Sequence, residues 1–460
     1  MPLVRFFSFG DRTNNKAGER RLLAWAGLLL MLGGWILAGC LAPTHPPPQS
    51  FTPTPTHPLQ PTATPTPTPP QDLRVWVPAP LFPSEQRAAW TSLQGQARAF
   101  EATTGARVDL RRRGVYGPGG MLTVLVPARL AATATTPDVL LVPHDLLEAL
   151  VTKAALPPLP EPLALRLRHR ADWYPYARRA GHLVGVPYGL PIGGETVVLA
   201  WPQTSDAPPP ATWAEWLRSP VPWSFPARDP YGWAYMAFYR AAGGTWHDRA
   251  GGRPTLDAEP WQRALEFLVQ AQWQGTLVPE ARAQTSFAML PGPAAPPAQV
   301  TWSRYANLNP DWSWAPLPGP EDEAVPLARV YVWVVLTTDP QRRPLAIRWV
   351  EQVTRADWLA PWLGQLGLWP AQPGLSTSAS TAGLDAYLSR AEAFPRMDHL
   401  FPWGHALSLA GQEVLEGRLT PLEAIPLTEQ ALGPPPEVEP QPEGTGTPSP
   451  APPAPRGNEP

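Results

Sequence analysis

The only thiol in the sequence belongs to Cys40, and its position limits the chemistry available to it. Cys40 ends the run Leu-Ala-Gly-Cys, directly after an uncharged apolar stretch that covers residues 22–39. A basic stretch at residues 16–21 comes before the apolar one, an order typical of a secretory signal. With no second cysteine, the chain cannot form an internal disulfide or a zinc site built from several thiolates. The sequence therefore predicts an exported protein.

The run that ends at Cys40 resembles a bacterial lipobox. In lipobox proteins the signal peptide, here residues 1–39, is cut before the cysteine, and acyl chains are attached to the thiol and the new amino terminus. Several chains anchor far more firmly than one, because each buried methylene adds about 0.8 kcal/mol. The alternative is an uncleaved transmembrane helix with an incidental cysteine, since the apolar run nearly spans a bilayer. We expect a chain anchored by lipidated Cys40 at the cell surface or in the periplasm.

Proline-rich segments flank the central part of the chain. Residues 40–71 form a linker of mostly Pro and Thr, with a repeated Pro-Thr pattern from Pro61 to Pro69. Because each proline fixes φ and removes an N–H donor, this linker favours an extended polyproline stalk. Residues 433–460 are rich in Pro, Gly and Glu with little to bury, which predicts a disordered tail.

The central region, residues 72–432, is long enough for two medium domains. The chain is 43% hydrophobic and 10% aromatic, so this region can build sizeable cores. Its net charge of -2 provides no basic field for nucleic acid. We therefore expect no nucleic-acid partner.

The local patterns indicate an α/β fold. Strands are predicted at Leu73–Val77, Ala106–Leu110 and Asp138–Val142, and a helix over Glu85–Phe100. Capping boxes are predicted for Thr212 with Glu215 and Thr420 with Glu423, an N-cap at Asp257, and an end at Gly417 for a helix starting near Trp403. Strands alternating with helices predict largely parallel sheets covered on both faces.

Short motifs follow one another in a fixed order through the central region. They are Phe100-Glu101 with Thr104-Gly105, Pro137-Asp138 followed by His144-Asp145, Gly185-Val186-Pro187-Tyr188, Pro210-Ala211-Thr212-Trp213, Asp229-Pro230-Tyr231, Gly243-Gly244 and Gly417-Arg418-Leu419-Thr420. In this order they resemble the extracellular solute-binding proteins of ABC importers, the group that includes maltose-binding protein. The resemblance covers nearly all of residues 72–432.

The resemblance implies an α/β fold of two doubly wound lobes around a ligand cleft, the periplasmic-binding-protein-like type II arrangement. One lobe would hold about residues 72–189 and 327–380, and the other about residues 195–320 and 385–432. A bound solute touches both lobes and so favours the closed form, which permease subunits recognise. The resemblance also implies a monomer without cofactor, metal or catalysis.

The solute is expected to be a saccharide, because 22 tryptophans are available and pyranose rings pack on aromatic rings. The resemblance places hydroxyl acceptors on Asp145 and Glu195. It places stacking residues near Tyr231, Trp302 and Trp403. Further candidates in segments that reach the cleft are Arg113, Tyr116, Tyr188 and Trp369.

Structural roles compete with these functional ones. Trp261, Trp349 and Trp358 lie at helical spacing and are expected in the core. Asp145 could cap the helix that follows it. His144 is expected to be a hydrogen-bonded structural residue, since no ligand lies at metal-site spacing from it.

Two other functions use the same residues. Asp145 and Glu195 could be the paired carboxylates of a carbohydrate-active hydrolase, although the sequence has no nucleophile elbow, His-Glu metal helix or phosphate-binding glycine loop. A surface adhesin would use the same stalk and cleft. The sequence departs from the family at Ala200-Trp201-Pro202, where a Tyr-Asn pair is usual, and in the short Pro- and Ala-rich stretch of residues 283–300.

Overall fold

The computed structural model describes residues 72–83, 87–131, 135–169, 172–248, 254–278, 298–375 and 383–433. The predicted signal peptide, Cys40, the linker and all of the predicted tail after Gly433 lie outside these ranges. None of the helices within them combines the length and apolar character that a membrane crossing requires.

The described residues form alternating strands and helices. The strands are β1 Asp72–Pro78, β2 Arg107–Arg113, β3 Val139–Pro143, β4 His182–Leu183, β5 Val186–Pro187, β6 Leu190–Pro202, β7 Trp223–Ser224, β8 His247–Asp248, β9 Pro254–Thr255, β10 Ala298–Trp302, β11 Trp312–Ala315, β12 Leu327–Val335, β13 Trp369–Pro370 and β14 Glu392–Ala393. The helices are α1 Arg87–Thr104, α2 Met121–Ala131, α3 Leu147–Ala154, α4 Glu161–Arg168, α5 Pro175–Ala180, α6 Trp213–Leu217, α7 Trp233–Ala241, α8 Ala258–Trp273, α9 Ser303–Leu308, α10 Arg342–Val353, α11 Ala356–Leu366, α12 Leu384–Ser389, α13 Met397–Leu415 and α14 Ala424–Leu432. The three predicted strands correspond to β1, β2 and β3, and the predicted first helix to α1.

Helix ends follow the local sequence signals, with two exceptions. Thr212 accepts a hydrogen bond from the N–H of Glu215, and the Thr420 and Glu423 pair forms both bonds of a capping box. Gly417 has φ 74° after α13, as the C-terminal signal predicts. Asp257 lies at the N-cap position of α8 but makes no capping bond there; its Oδ2 accepts from Thr245 instead. Helix α13 begins at Met397, well before the predicted start, because Pro402 is accommodated inside it.

One sheet of ten strands runs through the molecule in the order β2-β1-β3-β12-β6-β10-β7, with β11 and β13 pairing to β6 and β14 to β12. Strands β1, β2 and β3 are parallel, but β12 is antiparallel to both β3 and β6. Strands β10, β11 and β13 also pair antiparallel to β6. The expectation of largely parallel sheets was therefore wrong, because strands that cross between the two halves of the molecule enter each half in reverse.

Strand β6 belongs to both halves of the sheet, and all of its residues are buried. Its amino-terminal half pairs with β12 and its carboxyl-terminal half with β10. The two glycines before Glu195 allow this crowding: a Cβ on Gly194 would lie 2.5 Å from the carbonyl oxygen of Arg329, and one on Gly193 2.6 Å from that of Trp369. Backbone approach this close requires glycine.

Two hydrophobic cores lie on either side of this junction. The first core takes its buried residues from between Leu73 and Ile192 and from between Ala328 and Ala391, together with Val198. The second takes them from between Val197 and Leu327 and from between Phe394 and Ile425. Tyr387 and Leu388 of α12 pack in the first core, whereas the family resemblance assigns about residues 385–432 to the second lobe.

Candidate functional site

A group of charged side chains is buried where the two cores meet. Glu195 on β6 is directly opposite Arg329 on β12 in the strand register. Tyr331 on β12 donates from Oη to Glu195 Oε1 at 2.9 Å. The guanidinium of Arg329 is 3.7 Å from the same oxygen, and Arg304 Nε is 3.4 Å from Oε2. Glu195 is only 1% exposed, so a single carboxylate is enclosed by two arginines and a phenol.

Arg329 is surrounded by aromatic rings from both cores. Its guanidinium carbon lies 5.5 Å from the ring centre of Trp233, 5.6 Å from those of Tyr116 and Tyr331, and 5.8 Å from that of Trp302. Cation–π attraction of this kind is strongest when water is excluded. Burial opposes the charge, but Tyr116, Tyr331 and the nearby carboxylates raise the pKa of Arg329 well above its ordinary value. Arg329 therefore remains a cation at the junction.

Asp145 is held by Tyr116. It lies in a short 3-10 turn, His144–Leu146, directly after β3, and it is fully buried. Tyr116 Oη donates to Asp145 Oδ2 at 2.5 Å. Burial raises the pKa of Tyr116, with Arg329 opposing this and Asp145 reinforcing it, so Tyr116 stays protonated as the donor. Asp145 makes no capping bond to the helix that follows, which excludes its structural alternative.

Three partly exposed aromatic rings join the two cores beside this turn. Tyr116 packs with the first core, and Tyr231 and Phe401 pack with the second. The ring centre of Tyr116 lies 5.1 Å from that of Tyr231 and 5.3 Å from that of Phe401, and the latter two are 5.5 Å apart. We call Tyr116, Tyr231 and Phe401 the aromatic triad. It gives the junction an apolar surface to which both cores contribute.

Asp229 adds a third buried carboxyl group close to the triad. It is 4% exposed and accepts hydrogen bonds from the N–H groups of Tyr231 and Trp233. Burial raises the pKa of Asp229 to about 6, although these bonds and Arg329 lower it in part. A buried carboxyl with such a pKa changes its charge close to neutral pH.

His144 has the structural role that the sequence predicts. Its Nε2 lies 2.9 Å from the carbonyl oxygen of Phe394, and its Nδ1 accepts from the N–H of Val330 at 3.2 Å. One ring nitrogen therefore donates and the other accepts, which defines a neutral imidazole. Burial lowers the pKa of His144 and favours that form. No group of three or more possible metal ligands occurs among the described residues.

Five of the predicted site residues meet at this junction: Asp145, Glu195, Tyr116, Tyr231 and Trp302. Of the others, Trp403 is 1% exposed and contacts Tyr239 and Trp246 in the second core, where it lines a separate cavity of about 610 Å³. Arg113 lies over the ring of Trp76 at the end of β2. Tyr188 packs against the first core. Trp369 lines another cavity, of about 920 Å³.

The sequence reasoning missed Arg329, Arg304, Tyr331 and Phe401. Arg329 had a detectable signal, because it is the one charged residue in β12, a strand of nine buried residues. Phe401 lies two residues before the predicted Trp403, on a different face of the same helix. Arg304 lies two residues after Trp302, and its Nη2 donates to the carbonyl oxygen of Pro80 in the first half of the chain.

Two cores joined by shared strands, with carboxylates, cations and aromatic rings converging between them, define a two-lobed ligand-binding protein. The family described as "Bacterial extracellular solute-binding protein" matches residues 83–360. That match covers more than half of the chain, and the protein belongs to this family. Its resemblance to maltose-binding protein is confirmed at the level of the fold.

Several solved structures share the fold. The cyclic α-maltosyl-1,6-maltose binding protein from Arthrobacter globiformis aligns with a TM-score of 0.62 and 15% identity over 79% of this chain and 98% of its own. The GacH receptor of Streptomyces glaucescens, solved unliganded and with acarbose, has a TM-score of 0.62 and 16% identity over 79% and 97%. Thermus thermophilus maltotriose binding protein has a TM-score of 0.57 and 20% identity over 78% and 100%. A search among curated proteins found no match.

Chemically, the junction is suited to holding a polar molecule. The aromatic triad offers apolar ring surface, and the buried carboxylates and arginines next to it can form hydrogen bonds. The charges of three carboxyl groups and two guanidinium groups nearly cancel. The net charge of this group depends on whether Asp229 is ionised. This balance favours a neutral solute over a strongly anionic one.

Proposed function

We propose that this protein is a lipid-anchored extracellular solute-binding protein that captures a saccharide between its two lobes and delivers it to the permease of an ABC importer. The family supports solute binding. The saccharide class, the anchor and the delivery step go beyond what the family match gives. The observation that carries the proposal is the convergence of both cores on one junction through the aromatic triad and the buried carboxylates.

The aromatic triad supports a saccharide as the solute. A pyranose has apolar C–H faces and a rim of hydroxyl groups, so it needs rings to pack on and charged groups to pair with its hydroxyls. The triad supplies the rings, and Asp145 and Glu195 supply acceptors within the same buried network. The structural neighbours whose names give cyclic α-maltosyl-1,6-maltose and maltotriose as ligands agree with this chemistry.

The arrangement also supports delivery by lobe closure. A solute on the triad touches rings of both cores, so it stabilises the form in which the lobes are together. A permease can then distinguish the loaded protein by its shape. Nothing in the proposal requires a bond of the solute to be broken.

The direct test is binding of a panel of oligosaccharides, measured by calorimetry and by thermal stabilisation. Tyr231→Ala should weaken the binding of a saccharide ligand by roughly 1 to 3 kcal/mol, the usual scale for an aromatic anchor. Tyr231→Phe keeps the ring and is the matched control. Its binding free energy should stay within a few tenths of a kcal/mol of the parent value, roughly the scale of a minor contact.

Three outcomes would contradict the proposal. If only amines or phosphates bind, the saccharide class is wrong while solute binding stands. If Tyr231→Ala binds as well as the parent, the triad is not the site. If sugars are released from an oligosaccharide and Glu195→Gln abolishes that turnover, the protein is a hydrolase.

The anchor is tested separately at Cys40. Cys40→Ser should leave the folded domain intact. The variant should either accumulate as the uncleaved precursor or be released from membranes. Metabolic labelling with palmitate should mark the parent and not the variant. Equal labelling of both would exclude lipidation at this residue.

A further inference from the structure

A second cluster of aromatic rings lines the cavity of about 920 Å³ that contains Trp369. The ring centre of Trp314 lies 4.9 Å from that of Trp369 and 5.3 Å from that of Tyr387, and Trp369 and Tyr387 are 5.6 Å apart. Trp312 lines the same cavity. We call Trp312, Trp314, Trp369 and Tyr387 the tryptophan pocket. Trp314 is the most exposed of the four.

The tryptophan pocket is separate from the junction around Arg329. Glu195 and Thr196 are neighbours on β6, so their side chains point to opposite faces of the strand. Glu195 faces Arg329 and Tyr331, whereas the hydroxyl of Thr196 lies 3.4 Å from that of Tyr387. The pocket therefore lies on the reverse face of the strand that carries the first site.

Strands that pair with both halves of β6 build this pocket. Trp369 and Tyr387 belong to the first core, Trp314 packs against that core, and Trp312 belongs to a small third cluster with Ala200 and Ala306. Trp369 pairs with the first half of β6, and the strand β11 of Trp312 and Trp314 pairs with its second half. Asn307 in α9 donates to the carbonyl oxygen of Gly367 after α11 at 2.9 Å, which ties the two walls together. A molecule bound here would therefore contact residues on strands that pair with both halves of β6.

The polar groups of the pocket match a saccharide. The side chains of Asn307 and Gln203 line it and are held by hydrogen bonds to backbone carbonyls. At its rim Arg390 pairs with Glu323 at 2.6 Å, and both side chains are about half exposed. Ligand sites typically have about 300–1,000 Å³, mostly aromatic or apolar walls, and a few fixed polar groups. Aromatic rings, amides and an accessible ion pair in this volume suit the faces and hydroxyl groups of a short oligosaccharide.

We propose that the tryptophan pocket is a second saccharide-binding site, distinct from the one formed around the aromatic triad. The second site does not depend on what the first one binds.

The test uses the full protein labelled with 5-fluorotryptophan. The ¹⁹F resonance of Trp314 is assigned by its loss in Trp314→Phe. Maltotriose, cellotriose, xylotriose and mannotriose are then titrated against the parent and Tyr231→Ala. At least one trisaccharide should shift the Trp314 resonance saturably in both proteins.

Variants of the pocket provide the second arm. Trp369→Ala should weaken, at least tenfold, the binding of the trisaccharide that shifts the Trp314 resonance. Because Trp369 is largely buried, Arg390→Ala is a second variant whose exposed ion pair contributes little to stability, and it should weaken the same binding severalfold. Trp273→Ala is the matched control, since Trp273 is 85% exposed on α8 and should leave binding unchanged.

Three results would overturn the proposal. The first is a panel in which no trisaccharide shifts the Trp314 resonance. The second is a shift that disappears in Tyr231→Ala, which would show that Trp314 reports only on the first site. The third is a shift caused by decaproline and by no trisaccharide, which would make the pocket a peptide site. If Tyr231→Ala weakens saccharide binding at the aromatic triad while the Trp314 shift persists, the result concerns only the proposed function and leaves this proposal standing.

Discussion

Neutralising Glu195 is expected to destabilise the protein as well as alter its binding site. Glu195→Gln keeps the shape of the side chain but removes the carboxylate that lies beside both Arg304 and Arg329. Breaking a buried ion pair costs about 3–5 kcal/mol, because the remaining charge is left without its partner. Tyr331 can still donate to the amide oxygen, and Asp145 still attracts Arg329. We therefore expect a loss near the lower end, about 3 kcal/mol.

This loss should be visible in thermal unfolding. At about 2.1 cal/mol/K per residue over the roughly 320 described residues, the unfolding entropy is about 0.7 kcal/mol/K, so a loss of about 3 kcal/mol lowers Tm by about 4 °C. Differential scanning calorimetry at low and high salt measures it. The shift should hardly change with salt, because buried charges are poorly screened.

Asp357→Asn is the matched control, since it makes the same chemical change opposite an arginine at the surface. Arg355 and Asp357 are 2.9 Å apart, with both side chains about two-thirds exposed. Such exposed pairs contribute little to stability, so Tm should stay within about 1 °C of the parent. Equal Tm values for Glu195→Gln and Asp357→Asn would refute the reasoning. A double-mutant cycle with Arg329→Met would then show whether the two charges are coupled at all.

Three further predictions follow from the same region. Because the pKa of Asp229 is about 6 in the folded protein and about 3.9 when unfolded, the folded state binds the extra proton, and stability should fall by about 3 kcal/mol as pH rises from about 4 to 6; Asp229→Asn should remove this part of the pH profile in denaturant titrations. Gly404→Ala should lower the free energy of unfolding by about 1–3 kcal/mol, because the new Cβ would lie 1.9 Å from the carbonyl oxygen of Tyr231. Gly364→Ala is the control: its Cβ would meet nothing within 4 Å, so it should raise the free energy of unfolding by about 0.5–1 kcal/mol. Tyr116→Phe should cost about 1–3 kcal/mol in chemical denaturation, since Asp145 loses its donor.

Much of the fold could be predicted from local signals. Strands β1, β2 and β3 follow from short apolar runs, and the ends of α6, α13 and α14 from residues such as Thr212 and Gly417 whose side chain or φ suits that position. The direction of β12 could not be predicted, because the hydrophobicity of a fully buried strand does not depend on whether its neighbour is parallel or antiparallel.

The site was predictable where a motif fixed the residue and unpredictable where packing chose the face. Asp145, Glu195 and Tyr231 lie in motifs and meet at the junction. The family resemblance places a stacking residue near Trp403, but the position of each residue on α13 puts Phe401 against Tyr231 and Trp403 against Trp246. The partners of Glu195 come from distant strands, and only the folded register brings Arg329 opposite it.

The burial of β6 along its whole length affects how the protein can open. Every residue of this strand is buried, and its backbone pairs with β12 and β13 in one half and with β10 and β11 in the other. Neither core can unfold without exposing strand edges of the other, so the two cores are expected to behave as one cooperative unit. Amide protons of β6 would then exchange with solvent only through global unfolding. A protein built to move its lobes is in this way protected against losing one of them.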